Sequence, residues 1–261
     1  MTQLARRQLL TSLAGVPLAA IPLATILADA RLARAAADQL EAVSLTTAGG
    51  RQVSAALALP ASTPAPTVLL IHEWWGLNDQ IKTMAAEFAR EGYVGLAVDL
   101  YGGQVADTPD GAKALMGAVD GAAATDALVS WVDWLKQHEA GSGKVATVGW
   151  CFGGGWSLNA SVATPVDATV IYYGRVDRPA ADLQSLQGPV QGHFATEDQW
   201  INQDMVGGFE AAMAAAGKQV TSYWYEANHA FANPSGGRYD EDDAKLAWQR
   251  TLEFLGENLK G

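Results

Sequence analysis

The chain has a single cysteine, Cys151, with glycines two positions before it and two positions after it. Residues 144–148 read Lys-Val-Ala-Thr-Val and predict a strand, and a predicted helix follows the second glycine. A strand, a tight turn and a helix in this order form a nucleophile elbow, which lifts the sulfur onto the end of a sheet. The backbone N–H of Phe152 would then face a reacting oxygen. For a lone cysteine in such a turn a buried structural role would be the favoured interpretation, and the residues that follow it along the chain reverse this in favour of a nucleophile.

Two candidate partners follow the cysteine along the chain, first an acid and then a histidine. Asp198 ends an apolar run, and His229 follows the strand predicted over residues 219–226. The histidine could accept the thiol proton, and the carboxylate would hold the imidazole in the required tautomer. This order of nucleophile, acid and histidine is that of α/β-hydrolases. Glu197 and Asp204 are alternative acids, and Asp198 is preferred for its position in the strand-end loop.

The segment 71–76 reads Ile-His-Glu-Trp-Trp-Gly and follows the first predicted parallel strand. An oxyanion hole in this fold takes its second donor from that place, so the N–H of Trp74 is the predicted partner of the N–H of Phe152. Simple packing is the alternative role for Trp74 and Trp75. Gly76 stands where a His-Glu-x-x-His motif needs its second histidine, so we expect no metal site and no cofactor.

The elements that would carry these residues alternate along the chain. Residues 41–59 predict an antiparallel hairpin, and after a proline-rich link over residues 60–66 strands alternate with helices. The sequence therefore predicts an α/β fold with a mostly parallel central sheet and helices on both faces. The predicted strands cover residues 67–71, 93–100, 144–149, 168–173, 188–195 and 219–226. The predicted helices cover residues 80–90, 110–137 with a break near residues 117–121, 154–163, 205–216 and 239–258.

Composition and charge narrow the class of protein. A chain of 261 residues with 49% hydrophobic and 17% charged residues fits one globular domain. The 28 acidic residues outnumber the 17 basic ones, and the net charge of −11 opposes binding to nucleic acid or to an anionic membrane. One cysteine cannot form an internal disulfide. His138 and His193 are expected to be structural.

The N-terminus has the pattern of an export signal. Arg6 and Arg7 form a twin-arginine pair, an apolar stretch covers residues 9–27, and small residues suited to cleavage occupy positions 33–37. A membrane anchor is the alternative, but two prolines interrupt the apolar stretch.

We therefore expect a twin-arginine export signal over residues 1–37 and a hydrolase domain over residues 38–261. The protein would be periplasmic or secreted, and the twin-arginine export machinery would be a transient partner. No stable membrane partner is expected once the signal is removed.

Together these motifs resemble those of the dienelactone hydrolase family of the α/β-hydrolase superfamily, and the resemblance covers residues 41–258. In chain order the motifs are Glu-x-x-Gly at 73–76, Asp-Leu-Tyr at 99–101, Gly-x-Cys-x-Gly-Gly at 149–154, Tyr-Tyr-Gly at 172–174, the Asp198 loop, and His-x-Phe-Ala at 229–232. The combination is far more specific than any single motif.

The resemblance implies that Cys151, His229 and Asp198 form a catalytic triad. It also implies that Glu73 holds the resting thiol and is displaced when substrate arrives. A nearby carboxylate disfavours the thiolate by like-charge repulsion, which would keep the cysteine less prone to oxidation.

Several aromatic residues in or beside these motifs are predicted to contact the substrate. They are Tyr101, Tyr173 and Trp75. Other tryptophans near the motifs, Trp200 among them, suggest an apolar or aromatic acyl pocket.

Two positions depart from the family pattern. Members that act on dienelactone have arginines that clamp the substrate carboxylate, and this chain has Gly103 and Asn233 at those positions. Dienelactone is therefore not expected to be the substrate. Arg175 and Arg238 could supply a replacement charge, although a solvated surface arginine is the preferred interpretation of each.

The sequence thus leads to two hypotheses. The first is a cysteine hydrolase that acts on small-molecule esters or lactones with good leaving groups. The second is an exported binding protein that keeps the hydrolase scaffold and performs no chemistry. Hydrolysis that depends on Cys151 would separate the two.

Overall fold

The computed structural model describes residues 21–261, so Arg6, Arg7 and the start of the apolar stretch lie outside the described residues. The strands are β1 (Glu41–Thr46), β2 (Gln52–Ala58), β3 (Ala65–Ile71), β4 (Val94–Val98), β5 (Gly141–Trp150), β6 (Ala168–Tyr172), β7 (Val190–Ala195) and β8 (Val220–Tyr225). The helices are α1 (Leu23–Ala28), α2 (Ala30–Ala37), α3 (Asp79–Arg90), α4 (Pro109–Gly117), α5 (Gly121–Gln137), α6 (Phe152–Ala163), α7 (Ala180–Leu183), α8 (Gln203–Ala215) and α9 (Glu241–Leu259).

All eight strands form one sheet in the order β1-β2-β4-β3-β5-β6-β7-β8. Strands β1 and β2 are an antiparallel hairpin, and β2 is also antiparallel to β4. Every pairing from β4 to β8 is parallel. The predicted α/β fold, with its mostly parallel sheet and N-terminal hairpin, is confirmed.

The sheet is covered on both faces, which explains its apolar central strands. Helices α3 and α9 pack on one face, and α5, α6 and α8 pack on the other. The residues from Val68 to Ile71 on β3 are fully buried. Burial of each such aliphatic side chain stabilises the folded state by roughly 1.5–3 kcal/mol. This packing fixes the position of the strand ends.

Several element boundaries differ from the predicted ones, and those of β3 and α6 are the most informative. Strand β3 begins at Ala65, inside the expected proline-rich link, and its register with β5 shifts between Ala65 and Thr67. Pro66 lies at this irregularity, where its missing N–H costs no ladder hydrogen bond. Helix α6 begins at Phe152, directly after the cysteine, rather than at Gly154.

Helices α1 and α2 precede the domain boundary expected at residue 38, and both pack against the domain. Leu27 joins the core beneath α3, and the Thr83 hydroxyl on α3 donates a hydrogen bond to the Ala33 carbonyl at 3.1 Å. The Asp29 carboxylate caps the N-terminus of α2. Removal of residues 1–37 would uncover this side of the domain. No helix within the described range is long and apolar enough to cross a membrane.

The turn before α6 has room only for glycine at two positions. A Cβ atom on Gly149 would lie 1.9 Å from the Gly153 carbonyl oxygen. A Cβ atom on Gly153 would lie 2.2 Å from the Ile71 carbonyl oxygen. Both contacts are with backbone atoms, so no side-chain rearrangement relieves them.

We expect Gly149→Ala to lower the free energy of unfolding by about 1–3 kcal/mol, because the added methyl group forces the elbow apart. Urea unfolding measures this change. The matched control is Gly208→Ala on the exposed face of α8, where a Cβ atom meets nothing within 4 Å. That variant should keep or slightly raise stability. Equal stability of the two variants would contradict the steric account.

Candidate active site

Cys151 lies between the end of β5 and the start of α6 with φ 54° and ψ −116°. A residue with a side chain pays about 1–3 kcal/mol for such a conformation. Two backbone hydrogen bonds hold it: the Cys151 N–H donates to the Tyr172 carbonyl at 3.0 Å, and the Gly154 N–H donates to the Cys151 carbonyl at 3.0 Å. The strained turn places Cys151, a partly buried residue, at the carboxyl edge of the sheet.

Three strand ends bring a sulfur, an imidazole and a carboxylate into contact. The His229 Nε2 atom lies 3.1 Å from the Cys151 sulfur, and the His229 Nδ1 atom lies 2.6 Å from Asp198 Oδ2. The carboxylate accepts the Nδ1 proton, so these partners assign Nε2 as the atom that accepts the thiol proton. The sequence-predicted residues therefore meet in the order that the chemistry requires.

Asp198 is fixed and ionised by its surroundings. Its second oxygen accepts the backbone N–H groups of Trp200 at 2.8 Å and Ile201 at 3.0 Å. Burial acts to raise the pKa of Asp198, but the hydrogen bond and charge of His229, with the two N–H donors, bring the pKa below its usual value. The alternative acids are exposed: Glu197 binds the Asn228 amide, and Asp204 lies in the first turn of α8.

The surroundings of Cys151 favour the neutral thiol at rest. Burial raises its pKa to about 12, and the negative charge of Glu73 acts in the same direction. Hydrogen bonds from the backbone groups of Phe152 and Trp74 act in the opposite direction. Both backbone groups therefore lie near the sulfur, in the region where an oxyanion hole would need its donors.

Glu73 is 3% exposed, and its two oxygens are held by neutral donors. The Asn233 Nδ2 atom donates to one oxygen at 2.6 Å, and the Tyr173 hydroxyl donates to the other at 3.3 Å. Ser235 fixes the Asn233 amide, because its N–H and hydroxyl both donate to Asn233 Oδ1. Burial raises the pKa of Glu73, and the two donors only partly offset this effect.

The resemblance implies that Glu73 holds the resting thiol. Among the described residues no hydrogen bond joins its carboxylate to the sulfur, and its charge acts on the thiol by raising the pKa of Cys151. The sulfur instead pairs with His229. The two Glu73 oxygens accept hydrogen bonds from Asn233 and Tyr173.

The three predicted substrate contacts lie at different depths. Trp75 is partly exposed and packs edge-on against Trp74, with ring centroids 5.0 Å apart. Tyr101 is buried against His72 and Phe152, and its hydroxyl has no hydrogen-bond partner within residues 21–261. Tyr173 is fully buried behind the imidazole and supports Glu73.

The other histidines have structural partners. The Leu100 N–H donates to His72 Nε2 at 3.2 Å, so His72 Nδ1 donates to the Glu73 carbonyl at 2.6 Å. His193 bonds the Tyr225 hydroxyl, and burial lowers its pKa to about 3. His138 accepts the backbone N–H of Ala140. Residues 21–261 contain no cluster of side chains suited to a metal ion.

Two features of the site were not predicted from the sequence. The sequence marks Asn233 only as the position of a missing arginine, although its place beside the His-x-Phe-Ala motif is the signal for a role at Glu73. Trp200 was noted only as a nearby tryptophan. Its ring lies edge-on to the His229 ring at 5.2 Å between centroids, although 60% of the residue is exposed.

Comparison with known proteins shows where this chain belongs. The family model described as "Dienelactone hydrolase family" matches residues 53–259. Protein usf of Aquifex pyrophilus is 34% identical over 205 residues, which cover 74% of this chain and 89% of that protein. Carboxymethylenebutenolidase of Pseudomonas putida is 27% identical over 230 residues, which cover 82% of this chain and 95% of that enzyme.

Solved structures agree on the fold. A dienelactone hydrolase-like promiscuous phosphotriesterase from metagenomic libraries matches with a TM-score of 0.76 at 23% identity. The match covers 84% of this chain and 99% of that chain. At this identity the likeness concerns the fold alone. Because the family model spans every residue of the site and most of the chain, this protein belongs to the dienelactone hydrolase family and is a hydrolase of that family's α/β-hydrolase fold.

Proposed function

We propose that this protein is a cysteine hydrolase of activated esters or lactones in which Cys151, His229 and Asp198 act as a catalytic triad. The observation that carries the proposal is the unbroken series of contacts from the sulfur through both imidazole nitrogens to the carboxylate. Membership of a hydrolase family favours turnover over the alternative of a binding protein.

The reaction begins with a neutral thiol and a neutral imidazole. His229 Nε2 takes the thiol proton while the sulfur forms a bond to the acyl carbon. The carbonyl electrons move to the oxygen, which the backbone N–H groups of Trp74 and Phe152 stabilise. The bond to the leaving oxygen then breaks, and His229 returns the proton to that oxygen. Water, deprotonated by His229, attacks the thioester and releases the acid.

The sulfur sets the class of substrate. A tetrahedral intermediate that carries both a thiolate and an alkoxide expels the thiolate unless the oxygen leaving group is good. Aryl esters, enol esters and enol lactones meet this condition. The Pseudomonas relative is named carboxymethylenebutenolidase, which is consistent with a lactone substrate for this chain as well.

The charges around the sulfur favour an acyl group without a carboxylate. Glu73 and Asp198 both flank the reacting atoms, and Asn233 provides only an amide. Arg175 does not compensate, because Asp177 binds its guanidinium with two hydrogen bonds of 2.6 Å. A negatively charged acyl group would meet repulsion and no bidentate partner.

We also propose that the protein is exported. The support is the twin-arginine pair at Arg6 and Arg7 with the apolar stretch behind it. A protonated resting thiol suits an oxidising compartment, because the thiolate is the form that oxidises readily.

Asp198→Asn should lower kcat/KM for an aryl ester by a factor on the order of 10³–10⁴, because the imidazole loses the partner that sets its tautomer. The matched control is Glu197→Gln at the neighbouring acid, which should retain full activity. Initial rates with 4-nitrophenyl acetate measure both. Comparable losses in the two variants would argue against the assigned triad.

Glu73→Gln should speed the reaction of Cys151 with iodoacetamide, because the substitution removes a negative charge that raises the thiol pKa. A fall of about one unit in that pKa raises the thiolate fraction about tenfold. The control is Glu87→Gln on α3, a largely buried carboxylate that pairs with Arg90. An unchanged or slower alkylation rate for Glu73→Gln would refute the electrostatic role.

Replacing Arg6 and Arg7 together by lysine should leave the protein inside the cell, because the export machinery reads the arginine pair. Fractionation of an expressing bacterium and immunoblotting locate the protein. Replacement of Arg31 and Arg34 by lysine is the control and should leave export intact. Export of the double-lysine variant at the normal level would exclude this route.

A further inference from the structure

The His229 imidazole contacts two aromatic rings, one buried and one exposed to solvent. Tyr173, which is fully buried, contacts one side with ring centroids 5.2 Å apart. Trp200 contacts the ring edge-on, also at 5.2 Å, and remains 60% exposed. An indole this exposed beside a reactive imidazole leaves its apolar surface available to a ligand.

The proposed reaction places the leaving group on the same side. His229 must deliver its proton to the leaving oxygen, which requires that oxygen within about 2.6–3.2 Å of Nε2. The proposed reaction directs the acyl oxygen to the amides of Trp74 and Phe152. Of the two rings that contact the imidazole, Tyr173 is buried and Trp200 is exposed, so Trp200 is the ring that a leaving group near Nε2 can reach.

Trp200 is held in place and is paired with a positive charge. Its backbone N–H donates to the Asp198 carboxylate at 2.8 Å, which ties the indole to the triad. The Arg238 guanidinium carbon lies 5.4 Å from the centroid of the Trp200 ring, a cation–π distance. Within residues 21–261 the Arg238 side chain makes no ion pair with an acidic group, so its charge is available to a ligand.

We propose that Trp200 and Arg238 form a leaving-group subsite that selects aromatic or enolic leaving groups, with Arg238 favouring those that carry a negative charge. The inference rests on the proposed triad chemistry and goes further by assigning the side of the substrate that the site recognises. The subsite places the Arg238 charge beside the leaving group, whereas no free positive charge among residues 21–261 is assigned to the acyl group.

The test compares two acetate esters whose leaving groups have comparable acidity, 4-chlorophenyl acetate and hexafluoroisopropyl acetate. Trp200→Ala should lower kcat/KM for the aryl ester by roughly 3- to 10-fold and leave the fluoroalkyl ester within about twofold. Trp200→Phe should restore most of the aryl preference. A loss of stability would lower both rates together and would not change their ratio.

A second pair of esters tests the charge. Arg238→Gln should lower kcat/KM for 4-carboxyphenyl acetate and leave 4-carbamoylphenyl acetate unchanged. Arg175→Gln is the control, because Asp177 already neutralises that guanidinium, and it should change neither rate.

The outcomes separate the subsite from the reaction itself. If Trp200→Ala leaves the ratio of aryl to fluoroalkyl rates unchanged, the subsite is wrong while the hydrolase stands. If Arg238→Gln affects both esters alike, the charge selection is wrong. If the wild-type protein and Cys151→Ala hydrolyse every ester equally, the proposed function fails and the subsite fails with it.

Discussion

The 3.1 Å contact between the Cys151 sulfur and His229 Nε2 depends on a backbone conformation that cysteine disfavours. The φ angle of 54° persists because the surrounding sheet leaves the turn no alternative. Gly149 and Gly153 let the elbow approach its own helix and the end of β3 without a clash. The strained turn lowers the stability of the fold. It also brings the sulfur to an imidazole that follows β8, three strands away from β5 in the sheet.

Two carboxylates flank this contact, and their partners give them opposite properties. Asp198 binds an imidazole and two backbone N–H groups, and it remains ionised. Burial raises the pKa of Glu73, and the amide and phenol that donate to it only partly offset this effect. In the proposed triad the first carboxylate orients the base, while the charge of the second raises the thiol pKa and so favours the protonated form. Cys151 can thus remain a protonated, poorly nucleophilic thiol while His229 stays within hydrogen-bonding distance of its sulfur.

The sequence predicted well those features that follow from local pattern and chain order. The carboxyl ends of parallel strands meet at one edge, so Cys151, Asp198 and His229 could be placed together before any coordinates were known. The role of Asn233 could not be predicted, because it depends on an amide orientation that Ser235 fixes through tertiary contacts. The packing of α1 and α2 on α3 could not be predicted either. An export signal and a helix that packs on the domain through its apolar face have similar compositions, so the sequence does not distinguish them.

The most direct measurement of the central claim is mass spectrometry of the protein mixed with 4-nitrophenyl acetate and quenched in acid during turnover. The account predicts a transient mass gain of one acetyl group on the peptide that contains Cys151, and the gain should persist longer in a variant with slowed deacylation. Cys151→Ala should show neither the acetyl group nor turnover. Hydrolysis that continues in Cys151→Ala, or an acetyl group found on another residue, would contradict the account.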